Sequence, residues 1–149
     1  MILIRNARSS DVAAMHGLIL ELAEYEKAPH EVIATEATLH DALFGDSPVA
    51  IAWVAELDNV VRGMAICYLR YSTWKGVTLY LEDLIVHEEY RQQGLGRALL
   101  TQCIQFAKDK NYQRVLWQVL DWNTPAIDFY KQFNTQFDAG WLNAWIDIQ

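Results

Sequence analysis

The sequence is poor in several features that define whole classes of protein. Among its 149 residues are two cysteines, three prolines and seven glycines, and no apolar run approaches the ~20 residues that span a bilayer. Two cysteines are too few for a disulfide scaffold, and charge close to the first residue is unlike a secretory signal. Bases are also few, with 12 Lys and Arg against 19 Asp and Glu. Because nucleic-acid binding depends on clustered Lys and Arg, we do not expect nucleic acid as a partner. From the short apolar runs and the unlikeness to a secretory signal, we expect no membrane partner and a cytoplasmic location.

What the sequence does contain is typical of a folded domain. Hydrophobic residues make up 52% of the chain and aromatic residues 12%, which excludes a disordered protein. A chain of 17.2 kDa buries about 69% of its unfolded surface, enough for one core, so residues 1–149 are predicted to form a single domain. The net charge of −7 lies in residues 1–60, which indicates either a solvated helix face or a surface that attracts a cationic substrate.

Apolar spacing and turn residues predict an alternation of strands and helices, with a tight hairpin turn at Asp58-Asn59. The order of elements predicts an α/β fold with a mixed, mostly antiparallel central sheet flanked by helices. Strands are predicted at Ile2–Arg5, Val49–Leu57, Val60–Tyr71, Val77–Val86, Arg114–Leu120 and Trp141–Ile148. Helices are predicted from a Ser10 or Asp11 cap to about Glu26, and at Thr35–Phe44, Gly94–Lys110 and Pro125–Phe133.

One segment has the pattern of an anion site. A predicted strand runs into Arg91-Gln92-Gln93-Gly94-Leu95-Gly96, which we call the glycine loop, and a helix follows directly. The first turn of a helix presents N–H groups without helical partners at the positive end of the helix dipole. Gly94 and Gly96 let phosphate oxygens approach the backbone, and Arg91 and Arg97 add positive charge. The loop lacks the Gly-Lys-Ser/Thr of a P-loop and the third glycine of a dinucleotide site, and alone it also fits an ordinary glycine-rich turn.

The glycine loop resembles the acetyl-CoA diphosphate motif, Arg/Gln-x-x-Gly-x-Gly/Ala, of the GNAT N-acetyltransferase superfamily. A second family element stands downstream, from Asn123 to Tyr130. More narrowly, four segments resemble the diamine and polyamine (spermidine/spermine-type) N-acetyltransferases. The resemblance implies the GNAT acyl-CoA N-acyltransferase fold, acetyl-CoA as co-substrate, a small-molecule amine as substrate and a homodimer. The four segments are residues 21–26, residues 80–83, the turn at Trp74, and residues 140–147.

The resemblance implies acetyl transfer to a primary amine by direct attack in a ternary complex. An alkylammonium has a pKa near 10.4, so a base has to remove its proton, and the resemblance gives that role to Glu82, acting through a water. Adjacent strand residues point to opposite faces, so only one of Glu82 and Asp83 is expected to reach the cleft. The alternative to a catalytic role is that the acid only accepts hydrogen bonds at the end of the strand. The resemblance also implies that Tyr130 is the acid that protonates the leaving thiolate. The alternative is that Tyr130 only packs in the core beside Phe129.

The resemblance also implies which residues bind the cofactor and the amine. Asn123 is expected to bind CoA with Thr124 capping the next helix, and the alternative is that Asn123 is itself the cap. The turn before Trp74 lacks the acid and proline of the polyamine enzymes, which leaves shorter diamines and thialysine-like amino acids open as substrates. The implied cofactor-binding residues are Leu84, Ile85, Val86, Arg91, Gln92, Gln93, Gly94, Leu95, Gly96, Arg97, Asn123 and Tyr130. The implied substrate-binding residues are Tyr25, Glu26, Trp74, Glu82 and Asp83.

Two other interpretations of function stay open at this point. One is acetylation of a peptide or protein amine, and the other is a non-catalytic acyl-CoA-binding module that regulates a partner. The four histidines and two cysteines show no metal-ligand spacing, so no metal is expected. Cys103 falls on the apolar stripe of its helix and is interpreted as a core residue. The C-terminal tryptophans are interpreted as core and subunit-interface residues. These are Trp117, Trp122, Trp141 and Trp145.

Overall fold

A computed structural model describes residues 1–148, and their contacts cluster into two compact units. The first unit is Met1–Trp117 and the second begins at Gln118. The first unit contains a five-stranded sheet of order β1-β2-β3-β4-β5, antiparallel except for the parallel pair β4–β5. This confirms the predicted mixed, mostly antiparallel sheet. The strands are β1 (Ile2–Asn6), β2 (Ile51–Leu57), β3 (Val60–Ser72), β4 (Gly76–Val86) and β5 (Val115–Leu116).

The two hairpins follow from their turn residues. Asp58 and Asn59 have φ of 53° and 63°, the left-handed pair that a two-residue turn requires, so the predicted hairpin is confirmed. The turn between β3 and β4 ends at Gly76, with φ of 79°. Together these turns place the three longest strands side by side.

Helices pack on both faces of this sheet. The first unit holds α1 (Val12–Tyr25), α2 (Glu36–Phe44) and α3 (Leu95–Asp109). On one face α1 and α2 bury a cluster that includes Met15, Leu43, Val54, Met64, Ile66 and Ile85. On the other face the buried Cys103 of α3 places its sulfur 3.7 Å from that of Cys67 in β3. The core placement predicted for Cys103 is therefore confirmed, and their hydrogen bond and burial raise the pKa of Cys67.

The predicted cap of α1 is wrong in its chemistry. Asp11 occupies the N-cap position, but its side chain makes no bond to the helix. Instead its carboxylate accepts hydrogen bonds from the Arg8 N–H at 2.7 Å and the Arg5 guanidinium at 2.7 Å and 3.0 Å. Arg5 also donates to Glu56 of β2 at 2.8 Å. The hydrogen bond from Arg5 lowers the pKa of Asp11, so this carboxylate joins β1 to the start of α1 rather than capping it.

Two predicted strands are shorter or absent. Arg114–Leu120 forms only the two-residue β5, and Trp141–Ile148 forms no strand. The core placement of the last two tryptophans is also wrong, because Trp141 is 80% exposed and Trp145 is 77% exposed. In the second unit α4 (Thr124–Lys131) confirms the predicted short helix. No helix among residues 1–148 combines the length and apolar character needed to span a membrane.

Candidate active site

A β-bulge in β4 determines where the two adjacent acids lie. Leu81 is opposite Cys67 and Asp83 is opposite Ile66, so Glu82 is the extra residue with no partner of its own. Ile66 belongs to the core beneath α1, and residues directly opposite each other share a face. The extra residue interrupts the simple alternation of the strand, and Asp83 turns toward the face that α1 covers.

Asp83 lies at a cavity of about 210 Å³ between β4 and the C-terminal half of α1. Burial raises the pKa of Asp83 to about 6, and the charges of Glu82 and Glu26 add to the effect. Burial also raises the pKa of Glu26. The cavity thus combines carboxyl groups with an apolar wall that suits methylene groups. It is lined by Ile19, Leu22, Ala23, Glu26, Ala28, Glu31, Val32 and Asp83.

Glu82 itself is exposed and lies near two stacked tyrosines. The rings of Tyr68 and Tyr80 are 5.0 Å apart and tilted by 29°, as cross-strand neighbours on β3 and β4. Burial raises the pKa of both tyrosines, and the negative charge of Glu82 contributes to each shift. Arg70 lies 5.7 Å from the centre of the Tyr80 ring. Glu82 therefore belongs to a polar environment that is distinct from the apolar wall beside Asp83.

The backbone of the glycine loop turns sharply just before α3. Gln92 and Gly94 have φ of 62° and 92°, and such alternation turns successive N–H groups toward a common side. The first bond of the α3 ladder runs from the Ala98 N–H to the Gly94 carbonyl at 3.0 Å. Gly94 is the N-cap and has no side chain to cover the helix end. This donor set fits a diphosphate, with Gly94, Leu95 and Gly96 as the residues that would hold it.

The strand that leads to the loop has a partly unpaired edge. The β4–β5 ladder joins only Leu79 to Val115 and Tyr80 to Leu116 within the described chain. Residues 84–86 lie beyond it, where the resemblance places the contacts of Leu84, Ile85 and Val86 with the pantetheine arm. Arg91 folds back onto this strand, with its Nε donating to the Val86 carbonyl at 3.1 Å. Its guanidinium also lies 5.3 Å from the Tyr25 ring, so this arginine faces α1.

The other predicted site residues are placed separately. Trp74 is 90% exposed in the β3–β4 hairpin and is not among the residues lining the cavity. In the second unit Asn123 caps α4, because its side chain accepts the Ala126 N–H at 3.3 Å. The cap predicted at Thr124 is therefore wrong, and the alternative at Asn123 is correct. Tyr130 is 8% exposed, with its ring 5.3 Å from that of Phe129.

The mixed sheet with helices on both faces, and the glycine loop that leads from β4 into α3, define a class of α/β protein with a candidate phosphate-binding turn at a helix start. Residues 15–134 match the acetyltransferase (GNAT) family, and the chain belongs to that family. The predicted class, an acetyl-CoA-dependent N-acetyltransferase, is thereby confirmed. Among residues 1–148 no group of three or more His, Cys, Asp or Glu is placed to hold a metal ion.

Curated relatives agree with this assignment, and a solved structure shares the fold. The chain is 38% identical to a thialysine N-epsilon-acetyltransferase from Bos taurus over 143 residues, covering 91% of this chain and 84% of the relative. It is 36% identical to the thialysine N-epsilon-acetyltransferase from Mus musculus, covering 94% and 89%. An aminoglycoside acetyltransferase from an uncultured soil metagenomic sample has the same fold, with a TM-score of 0.80, 20% identity and coverage of 99% and 97%.

Proposed function

We propose that this protein transfers the acetyl group of acetyl-CoA to a primary amine of a small, elongated cation, such as a diamine or a thialysine-like amino acid. The cavity beside Asp83 carries this proposal. Among its three acidic residues, Glu26 and Asp83 attract an ammonium group, and the apolar side chains of α1 accept the methylenes between nitrogens. The names of the Bos taurus and Mus musculus relatives support an amine of this class. When bound, acetyl-CoA supplies an acetyl thioester that is already activated for transfer to nitrogen.

Asp83 is the stronger candidate for the base that takes the proton from the amine. A carboxyl group with a pKa of about 6 binds a proton more tightly than an ordinary glutamate with a pKa near 4.3. The difference makes proton transfer from an ammonium group easier by about 2 kcal/mol. We therefore propose that Asp83 accepts the proton, directly or through a water, and that the exposed Glu82 helps to attract the substrate.

The pH dependence of Asp83→Asn tests this assignment. Asp83 has to be ionised to accept a proton, so kcat/KM of the wild type should rise with pH through a step near 6. The step should be absent in Asp83→Asn. At pH 8 the kcat/KM of this variant should fall roughly tenfold, which is less than the usual effect of losing a general base because Glu82 remains beside it. Glu82→Gln is the matched control and should keep the step, moved to lower pH because the charge of Glu82 helps to raise the pKa of Asp83. If Glu82→Gln loses it and Asp83→Asn does not, the base is Glu82.

An amine panel scored by CoA thiol release tests the function as a whole. The panel contains diamines, polyamines, thialysine, an aminoglycoside and peptides with a free N-terminus. We expect the highest kcat/KM with a diamine or thialysine, and small amines rather than peptides should raise the melting temperature. Faster turnover of peptides would favour a protein acetyltransferase. If the protein binds acetyl-CoA and releases no thiol with any amine, it is a regulatory acyl-CoA-binding module.

We also propose that the protein forms a homodimer through its last residues. Five large apolar side chains lie in eight residues of the second unit, and each is at least 77% exposed. Several large apolar side chains exposed in one short segment are typical of an interface. The five are Trp141, Leu142, Trp145, Ile146 and Ile148. A cytoplasmic location is proposed from the composition alone, and cell fractionation would test it.

Substitution within this apolar segment tests the dimer. Trp145→Ser with Ile146→Ser should shift the sedimenting species from dimer to monomer at micromolar concentration, because both side chains lose apolar area at the interface. The control is Val49→Ser, which changes an apolar side chain that is 72% exposed in the first unit. A wild type that sediments as a monomer would refute the proposal.

A further inference from the structure

Glu21 of α1 is a partly buried acid that has no role in the proposed reaction. Its side chain has 26% relative exposure. It does not line the amine cavity, although Glu26, directly after the end of α1, is only five residues away and does. Instead it faces the segment that connects β4 to the glycine loop. This orientation separates Glu21 from the acids that bind the substrate.

The connecting segment is a single 3-10 turn, Glu88–Tyr90, and Glu21 contacts both of its ends. At the start of the turn, Glu21 Oε1 accepts the Glu88 N–H at 2.8 Å. Past its end, the same oxygen lies 3.9 Å from Arg91 Nη2, the first residue of the glycine loop. Glu21 Oε2 lies 3.9 Å from His87 Nε2. One carboxylate thus spans the whole turn.

Two further contacts hold the end of the turn against β3 and β4. Arg62 of β3 lies over the Tyr90 ring at 4.2 Å, and Arg91 Nε donates to the Val86 carbonyl at 3.1 Å. Neither of these contacts reaches the start of the turn at Glu88. Just before the turn, the His87 N–H donates to the Arg62 carbonyl of β3 at 2.8 Å. Among the described residues, the side chain that accepts the Glu88 N–H is that of Glu21, so this carboxylate restrains the first residue of the turn itself.

We infer that Glu21 is a positioning residue for the cofactor: it holds the Glu88–Tyr90 turn and Arg91 so that the amides of the glycine loop converge on the diphosphate. The inference rests on the proposed function, because it assumes that this loop binds acetyl-CoA. A loop set only slightly out of register loses several hydrogen bonds to the phosphates at once. Loss of Glu21 should therefore weaken cofactor binding more than it slows the reaction of bound substrates.

Steady-state kinetics and calorimetric binding of CoA test the inference. Glu21→Ala should raise KM for acetyl-CoA and Kd for CoA by about tenfold, the effect of one lost hydrogen bond to a charged group, while kcat changes less than about threefold. Glu21→Gln keeps an oxygen that accepts the Glu88 N–H and should restore most of the affinity. Glu24→Ala is the matched control, since it removes an exposed acid from the same helix and should leave both constants unchanged.

The possible results separate this inference from the proposed function. A folded Glu21→Ala with wild-type Kd for CoA overturns the inference, as does a variant that only melts earlier or loses kcat without a change in KM. Glu21→Gln as weak as Glu21→Ala also overturns it, because the hydrogen bond would then not be what positions the turn. If the wild type itself does not bind acetyl-CoA, the proposed function fails instead.

Discussion

Gly94→Val should raise the Kd for acetyl-CoA at least about 100-fold, a larger effect on cofactor binding than that expected for Glu21→Ala. Gly94 has φ of 92°, a conformation that a β-branched residue strongly resists, and it is the N-cap at the mouth of the glycine loop. A valine there either shifts the backbone or places its methyl groups where phosphate oxygens approach. Each lost hydrogen bond to a charged phosphate is worth about 1.5–3 kcal/mol, so the loss of two accounts for the expected change.

The β3–β4 hairpin offers a matched control for backbone strain. Gly76 has φ of 79°, and a Cβ there, like one at Gly94, has no neighbour closer than 3.8 Å. Gly76→Val should therefore lower the melting temperature about as much as Gly94→Val while leaving the affinity for acetyl-CoA intact. Calorimetry and thermal melts on both variants measure the two quantities. Equal affinity in both variants would remove the glycine loop from the cofactor site.

The elements that the sequence predicts well are those fixed by local chemistry. Asp58 and Asn59 adopt the left-handed turn that joins two β-rich runs. The helix predicted at Thr35–Phe44 is present and begins one residue later, because Thr35 is its cap and accepts the Thr38 N–H. In each case one or two residues determine the conformation, because their side chains or backbone preferences act within a few positions.

The failures concern features that depend on distant residues. Arg114–Leu120 and Trp141–Ile148 are rich in apolar and β-forming residues, yet a strand also needs a partner, and only Val115 and Leu116 have one in the described chain. The bulge at Glu82 arises from the register of β3 against β4, which no local pattern records. The pKa of Asp83 depends in turn on burial beneath α1. The sequence resemblance could name the two acids but could not show how their environments differ.

Tyr130→Phe should lower kcat by about 100- to 10,000-fold, the range expected when a positioned general acid is lost, with little change in the Kd for acetyl-CoA. Tyr130 lies on α4, 8% exposed and packed against Phe129, so phenylalanine keeps the ring contact and removes only the hydroxyl. The proposed role of that hydroxyl is to donate a proton to the leaving thiolate. A phenol with pKa near 10 gives its proton to a thiolate with pKa near 8.5 at a cost of about 2 kcal/mol, so donation has to accompany cleavage of the C–S bond.

Kinetics in D₂O distinguish this role from a packing role. Because the proton moves as the bond breaks, kcat of the wild type should be lower in D₂O, and the residual rate of Tyr130→Phe should lose that part of the isotope effect. Tyr112→Phe is the control: its ring packs 6.2 Å from Phe106 in the first unit, and the variant should keep wild-type kcat and isotope effect. A Tyr130→Phe enzyme that binds acetyl-CoA weakly, yet turns over at the wild-type rate once saturated, would make Tyr130 a structural or cofactor-binding residue. The proton for the thiolate would then have to come from elsewhere.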